Sequence, residues 1–268
     1  MPPSCSRARL VGALLALLLL ASGCATPVLS VEDERRMGEK VAAELVKEPR
    51  IVRDDLVRRY VEKLGARILE AAGPQPFDYT FYVVDDDEVN AGATYGGHIL
   101  VNTGLILAAE NMSELAGVMG HEVGHVALRH MARSHYRRMG TGFLATLARI
   151  GLGMFVGYGA SMATDLLAVS YLNSYGRDHE READQFAVQV LPQAGIHPIG
   201  LATFFETLSA ERGGGGPPAF LSSHPAPAER IANTRKMIAE YDIGGGLDLE
   251  DDGKLEIIQR RIELLTGR

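Results

Sequence analysis

The residues His121-Glu122-Val123-Gly124-His125 constrain this chain more than any others. Side chains four apart lie on one face of an α-helix. In helical form both imidazoles can therefore reach one Zn²⁺ at about 2.0–2.1 Å while the intervening Glu stands beside it. The helix itself is predictable. Asn111-Met112-Ser113-Glu114 has an Asn cap with Glu three residues later, the pattern of a capping box, and the helix it opens is expected to reach about His130. Gly117 and Gly124 fall on the face of the histidine pair, where another backbone can come close.

A catalytic zinc also needs a third protein ligand and an open position. On one continuous helix, nine steps of about 100° put His130 opposite His121, and His135 lies about 21 Å further along. The extended H-E-x-x-H-x-x-G-x-x-H pattern is missing, because Leu128 and Met131 occupy its Gly and His positions. The remaining source is Glu180-Arg181-Glu182-Ala183-Asp184 on a helix expected over about 178–191. Glu180 and Asp184 share a face, whereas Glu182 sits about 200° from Glu180 and should meet solvent or a salt bridge. This assigns Glu180 as third ligand and Asp184 as the carboxylate that orients a ligating imidazole through its free N–H. Arg177 lies on the same face, either as a donor to a developing oxyanion or as a salt-bridge partner of Asp184. His224, fixed beside Pro225, is a donor to the oxyanion, a removable fourth ligand, or an ordinary residue at a helix start; His197, also before Pro, reads as a helix start.

The rest of the chain frames that site. With 268 residues, 46% of them hydrophobic, it can bury one sizeable core. A formal charge of −7 and no nucleic-acid motif argue against nucleic acid as a partner. Arg7 and Arg9 precede an apolar run from Leu10 to Ala21 that ends in Ala-Ser-Gly-Cys24. The run is about 12 residues, too short for a membrane span of about 20, and reads as a signal peptide. Ala21-Ser22-Gly23-Cys24 resembles the lipobox of bacterial lipoproteins, which implies lipid on Cys24, and Ala25 in place of an Asp favours the outer membrane. Cys5 leaves with the signal, so no free thiol or disulfide remains and cysteine catalysis is excluded.

The expected organisation is a signal peptide at 1–23, a tether at 24–31, a catalytic domain at 32–241, and an acidic linker with an amphipathic helix at 242–268. Helices are expected at 34–47, 54–71, 198–210 and 226–241. Alternation from Phe77 to Val84 reads as a strand, as does His98 to Asn102. Asp85-Asp86-Asp87-Glu88 reads as a solvated turn, since its spacing matches no calcium loop. The Gly-rich stretch 141–175 reads as short helices or a loop over the site, with membrane contact as the alternative. In the tail, Leu255, Ile258, Ile262 and Leu265 form one stripe, set to pack on the body or on a partner.

Together, His121-Glu122-Val123-Gly124-His125 and Glu180-Arg181-Glu182-Ala183-Asp184 resemble the HtpX / CAAX-prenyl-protease family of gluzincin metallopeptidases. Asn90-Ala91-Gly92-Ala93, Gly96-Gly97-His98-Ile99, His224-Pro225 and Arg230 extend the likeness. It is most like the family's periplasmic BepA- and LoiP-type branch and covers about residues 35–240. Gly176 departs from the pattern, which usually has Ser there, and no tetratricopeptide array follows. The resemblance implies an α+β, predominantly helical, zincin-like fold with a small β-sheet beside the H-E-x-x-H helix. It also implies one Zn²⁺ per chain, and a zinc-dependent endopeptidase of the cell envelope that attacks peptide bonds with a zinc-bound water and Glu122 as general base. The implied partners are unfolded or misassembled proteins, extended along the edge of the 98–102 strand, the membrane through the N-terminal lipid, and a homo-oligomer or envelope assembly machinery. A zinc-stabilised, membrane-tethered chaperone is the alternative reading.

Overall fold

The computed structural model describes residues 29–139, 175–210, 219–224, 227–241 and 246–268. The expected signal peptide, Cys24 and nearly all of the 141–175 stretch lie outside the described residues. Two capped helices open the chain. In α1 (Val31–Leu45) the Ser30 hydroxyl accepts the Asp33 N–H, and in α2 (Asp55–Ala72) the Asp54 carboxylate accepts from Leu56 and Val57. Such caps satisfy donors that the first helical turn leaves orphaned.

A three-stranded sheet follows, built from β1 (Thr80–Val84), β2 (Ala91–Ala93) and β3 (His98–Asn102) in the order β1-β3-β2. β1 runs parallel to β3, with Thr80 opposite His98, and β2 runs antiparallel to it, with Ala93 opposite Ile99. Two expectations are corrected here. The first strand begins at Thr80 rather than Phe77, although Phe77 is still buried in the core. The 98–102 strand is central and fully buried, so it has no edge to offer; the short β2 is an edge strand.

After the one-and-a-half-turn α3 (Thr103–Ala108), α4 (Met112–Ala127) runs through the middle of the molecule, with Met112 through Val126 all buried. A helix apolar or buried on every side is a core helix. The Asn111 side chain accepts the Glu114 N–H at 3.0 Å, and the Glu114 carboxylate reaches back to the Glu110 N–H at 2.9 Å, one residue beyond a capping box. α4 ends earlier than its apolar pattern suggests. Arg129 takes a left-handed backbone (φ 55°), and α5 (His130–Met139) starts a new direction.

Three further elements close around α4. These are α6 (Arg177–Gln193), which carries Pro192 inside its last turn rather than stopping before it, α7 (Ile199–Ala210) and the short α8 (Ala219–Ser223). His197 is the helix-start residue expected, its Nδ1 accepting the Ile199 N–H at 3.1 Å. α9 (Pro227–Glu240) packs across α6 and α7. The C-terminal α10 (Lys254–Thr266) lies on the body, against α2 and α3, and buries Leu255, Ile258 and Ile262 in the main core. Leu265, expected on the same stripe, is instead 46% exposed. The acidic turn is held by arginines: Asp86 pairs with Arg50, and Asp85 and Asp87 pair with Arg268. Among the described residues no helix is long and apolar enough to cross a membrane.

The glycines of α4 behave differently from one another. A Cβ at Gly117 would stand 2.6 Å from the backbone nitrogen of Leu201, whereas one at Gly120 would meet Ala187 and Leu191 at 3.5–3.6 Å, an ordinary contact. Gly117→Ala should therefore cost about 1–3 kcal/mol through overpacking and lower the thermal midpoint by about 2–10 °C. Gly120→Ala should be neutral or gain up to about 1 kcal/mol from helix propensity. Thermal unfolding of the two variants checks the opposite signs.

Candidate metal centre

Helical spacing does what it promised. His121 and His125 leave the same face of α4, and their Nε2 atoms lie 2.9 Å apart. Gly124 leaves room for α6 to pass closely, its missing Cβ facing Phe186 and the Cα of Ala183. That approach delivers Glu180 to the pair, with Oε1 3.4 Å from His125 Nε2 and Oε2 3.6 Å from His121 Nε2. His224, just past α8, adds a fourth group: its Nδ1 is 3.1 Å from both Glu180 oxygens and 3.3 Å from His121 Nε2. One ligand atom from each of the four lies within 4.8 Å of the others, and all four residues are buried.

Glu122 enters from the adjoining position on α4. Its carboxylate is fully buried, accepts no hydrogen bond among the described residues, and stands 3.4 Å from His224 Nε2. A buried carboxylate without hydrogen bonds costs free energy.

Around this core the charges are strongly coupled. Burial acts to raise the Glu180 carboxyl, but the imidazoles of His224, His125 and His121 outweigh it and hold it well below the usual range. Burial and the neighbouring His121 push His125 well down. Burial also opposes a charge on His224, yet Glu180 and Glu122 overcome it and raise its pKa.

The outer contacts orient the rings. Asp184 Oδ1 lies 2.9 Å from His121 Nδ1, closer than the Arg230 Nη2 atom at 3.2 Å, so the carboxylate takes the ring N–H. That leaves the Nε2 lone pair facing the cluster. Arg230 grips Asp184 with Nε at 2.8 Å and Nη2 at 2.6 Å, reaches Glu180 with Nη1 at 3.0 Å, and lies over the Phe205 ring at 4.3 Å. Two sequence expectations change as a result. The arginine beside Asp184 is Arg230 from α9, and Arg177 is an exposed residue at the start of α6, on the rim of a shallow pocket with Arg181 and Glu229. His130 does not lie opposite His121. The break at Arg129 folds it back until its Nδ1 is 2.8 Å from His125 Nδ1. Glu182 makes the salt bridge its position suggested, to Arg133 and His130.

A buried set of imidazole and carboxylate donors converging on one point, beside the Glu122 carboxylate, is a candidate metal site of the H-E-x-x-H class. The comparisons with known proteins name the family. The chain matches Peptidase family M48 over residues 55–238 and belongs to that family. It is 32% identical to the beta-barrel assembly-enhancing protease of Escherichia coli (strain K12) over 214 residues, 77% of this chain and 44% of that protein. From the same organism, it is 35% identical to the metalloprotease YcaL over 189 residues, 68% of this chain and 71% of that protein. It is 37% identical to the metalloprotease LoiP over 167 residues, 62% of this chain and 64% of that protein. The chain thus spans less than half the length of the assembly-enhancing proteases it matches.

Removing the Arg230 guanidinium leaves Asp184 and Glu180 buried beside a missing partner. Arg230→Met is expected to lose about 3–5 kcal/mol of stability. Arg235→Ala, which breaks the half-exposed pair with Glu206, should lose no more than about 1 kcal/mol. Denaturant unfolding of both variants measures the contrast.

Proposed function

We propose that the chain is a zinc-dependent endopeptidase of the bacterial cell envelope that hydrolyses peptide bonds in unfolded or misassembled proteins. The observation that carries this reading is the convergence of His121, His125 and Glu180 beside the Glu122 carboxylate, which accepts no hydrogen bond among the described residues. The donor set suits zinc: nitrogen and oxygen only, from two imidazoles and one carboxylate. Charge agrees. Three buried carboxylates, those of Glu122, Glu180 and Asp184, surround the one point at which the imidazoles of His121 and His125 converge, and the buried guanidinium beside them is that of Arg230; so acidic a surrounding suits a cation.

In this reading His121, His125 and Glu180 hold the ion, and Asp184 fixes the His121 tautomer. Bound there, zinc supplies polarisation of the scissile carbonyl and a lowered pKa for the attacking water. Glu122 takes the water's proton and later passes it to the leaving amine. His224 stands at the fourth corner, as a removable donor to the ion or as a hydrogen-bond donor to the oxyanion. Arg177, exposed on the pocket rim and not paired with Asp184, keeps its other proposed role, a donor to the oxyanion.

An extended substrate would add to a strand edge, and in the described sheet that edge is β2 at Ala91–Ala93, which is buried and packed against α4, so pairing there requires the edge to be uncovered. Main-chain pairing of this kind favours unfolded polypeptide with little sequence preference. The signal-like residues 7–24 and the names of the relatives support an envelope location, with lipid on Cys24 as the anchor, an outer-membrane site facing the periplasm, and envelope assembly machinery or a second copy as partner.

Glu122→Gln is expected to retain one zinc per chain and to cleave unfolded casein about 10²–10⁴-fold more slowly than the wild type. Wild-type turnover by this variant removes Glu122 from the mechanism. Cleavage by the wild type that a chelator abolishes while the circular dichroism stays unchanged separates the enzyme from a zinc-stabilised chaperone.

A further inference from the structure

The two metal-facing imidazoles are held from behind in different ways. His121 Nδ1 meets a carboxylate directly, Asp184 at 2.9 Å, and that carboxylate is clamped by Arg230. His125 Nδ1 meets no carboxylate among the described residues. It meets another imidazole, His130 Nδ1, at 2.8 Å. Only one of these two facing nitrogens can carry the proton. If His125 presents Nε2 to the cluster, its proton sits on Nδ1, and His130 Nδ1 must be the acceptor. The His130 proton is then on Nε2, which lies 2.9 Å from Glu182 Oε2. Glu182 in turn accepts from Arg133 Nη1 at 2.5 Å. Every link donates in the same direction, from His125 to His130 to Glu182.

The surroundings keep His130 in that place. Its ring is fully buried and stacks on His179, with centroids 4.4 Å apart and planes 9° from parallel. Tyr175 stacks on the His125 ring at 3.9 Å, limiting its rotation. The turn that brings His130 back depends on Arg129, a non-glycine residue in the left-handed region, whose guanidinium is tied to Glu34 and to the carbonyl of Leu29.

We propose that His130, aligned by Glu182, is a positioning residue that fixes the tautomer and ring orientation of His125 for metal binding. The proposal rests on the metal-centre reading above. It concerns metal affinity, so it can be tested without activity.

Zinc affinity of the full chain is measured by competition with a chromophoric chelator, alongside thermal unfolding of the metal-free protein. His130→Leu, which keeps bulk and removes the acceptor, is expected to weaken zinc binding about 10–100-fold. His130→Asn places an amide oxygen where Nδ1 accepts and should recover most of that loss. Glu182→Gln, with a neutral acceptor at the end of the chain, should weaken binding by less than about 10-fold. A purely structural His130 would lower the unfolding temperature and leave zinc affinity alone. Affinity within about twofold of wild type in His130→Leu, or Asn no better than Leu, overturns the proposal. Should His130→Leu fail to fold, the half-exposed Glu182→Ala carries the test: weakened binding supports the relay, and unchanged binding overturns it. A wild-type chain that takes up no zinc removes the metal-centre reading itself, which is a different result from a zinc-binding wild type with unaffected variants.

Discussion

Burying charge is expensive unless every charge finds a partner, and this molecule buries an unusual number of them at one point. His121, Glu122, His125, Glu180, Asp184, His224 and Arg230 are each at most 5% exposed. Such a set is tolerable only if the groups neutralise and orient one another. The fold can be understood from that requirement. α4 must be enclosed on all sides to keep water out, α6 must approach within glycine distance to bring carboxylates to the imidazoles, and α9 must cross over to deliver the guanidinium that holds those carboxylates.

The same requirement links the site to distant parts of the chain. α1 has no residue in the cluster, yet Glu34 grips Arg129, and Arg129 sets the turn between α4 and α5. Asp184 and Arg230 are separated by 46 residues in sequence and joined by two hydrogen bonds. Enclosure also has a chemical consequence. In a medium of low effective dielectric, a general base and a Lewis acid act more strongly than they would in water, so under the proposed function the interactions that hold the fold would also support the reactivity.

Much of this was legible in the residues, for reasons that can be named. The His121/His125 pair and the Glu180/Asp184 pair are each four apart, a local periodicity that survives into the structure unchanged. The strand at 98–102 was legible as a short β-prone run around Ile99-Leu100-Val101, but its central place in the sheet was not, because β2 is only Ala-Gly-Ala and carries no pattern to announce it. His130 was misplaced by extending one helical period through Arg129. Nothing local in Leu128-Arg129 forbids a helix there, and the break is sustained by tertiary partners. Arg177 is a candidate partner for Asp184 in the sequence because it shares a helix face with it. The true partner comes from another element, and long-range pairing leaves no trace in local spacing.

The most direct measurement is X-ray absorption at the zinc edge of the purified full chain. The expected first shell is four nitrogen or oxygen atoms at about 2.0–2.1 Å, with at least two imidazoles, and it should lose an oxygen neighbour in Glu180→Ala. A sulfur neighbour near 2.3 Å, or a shell that Glu180→Ala leaves unaltered, contradicts the assignment of two helix imidazoles and one carboxylate as the metal's grip.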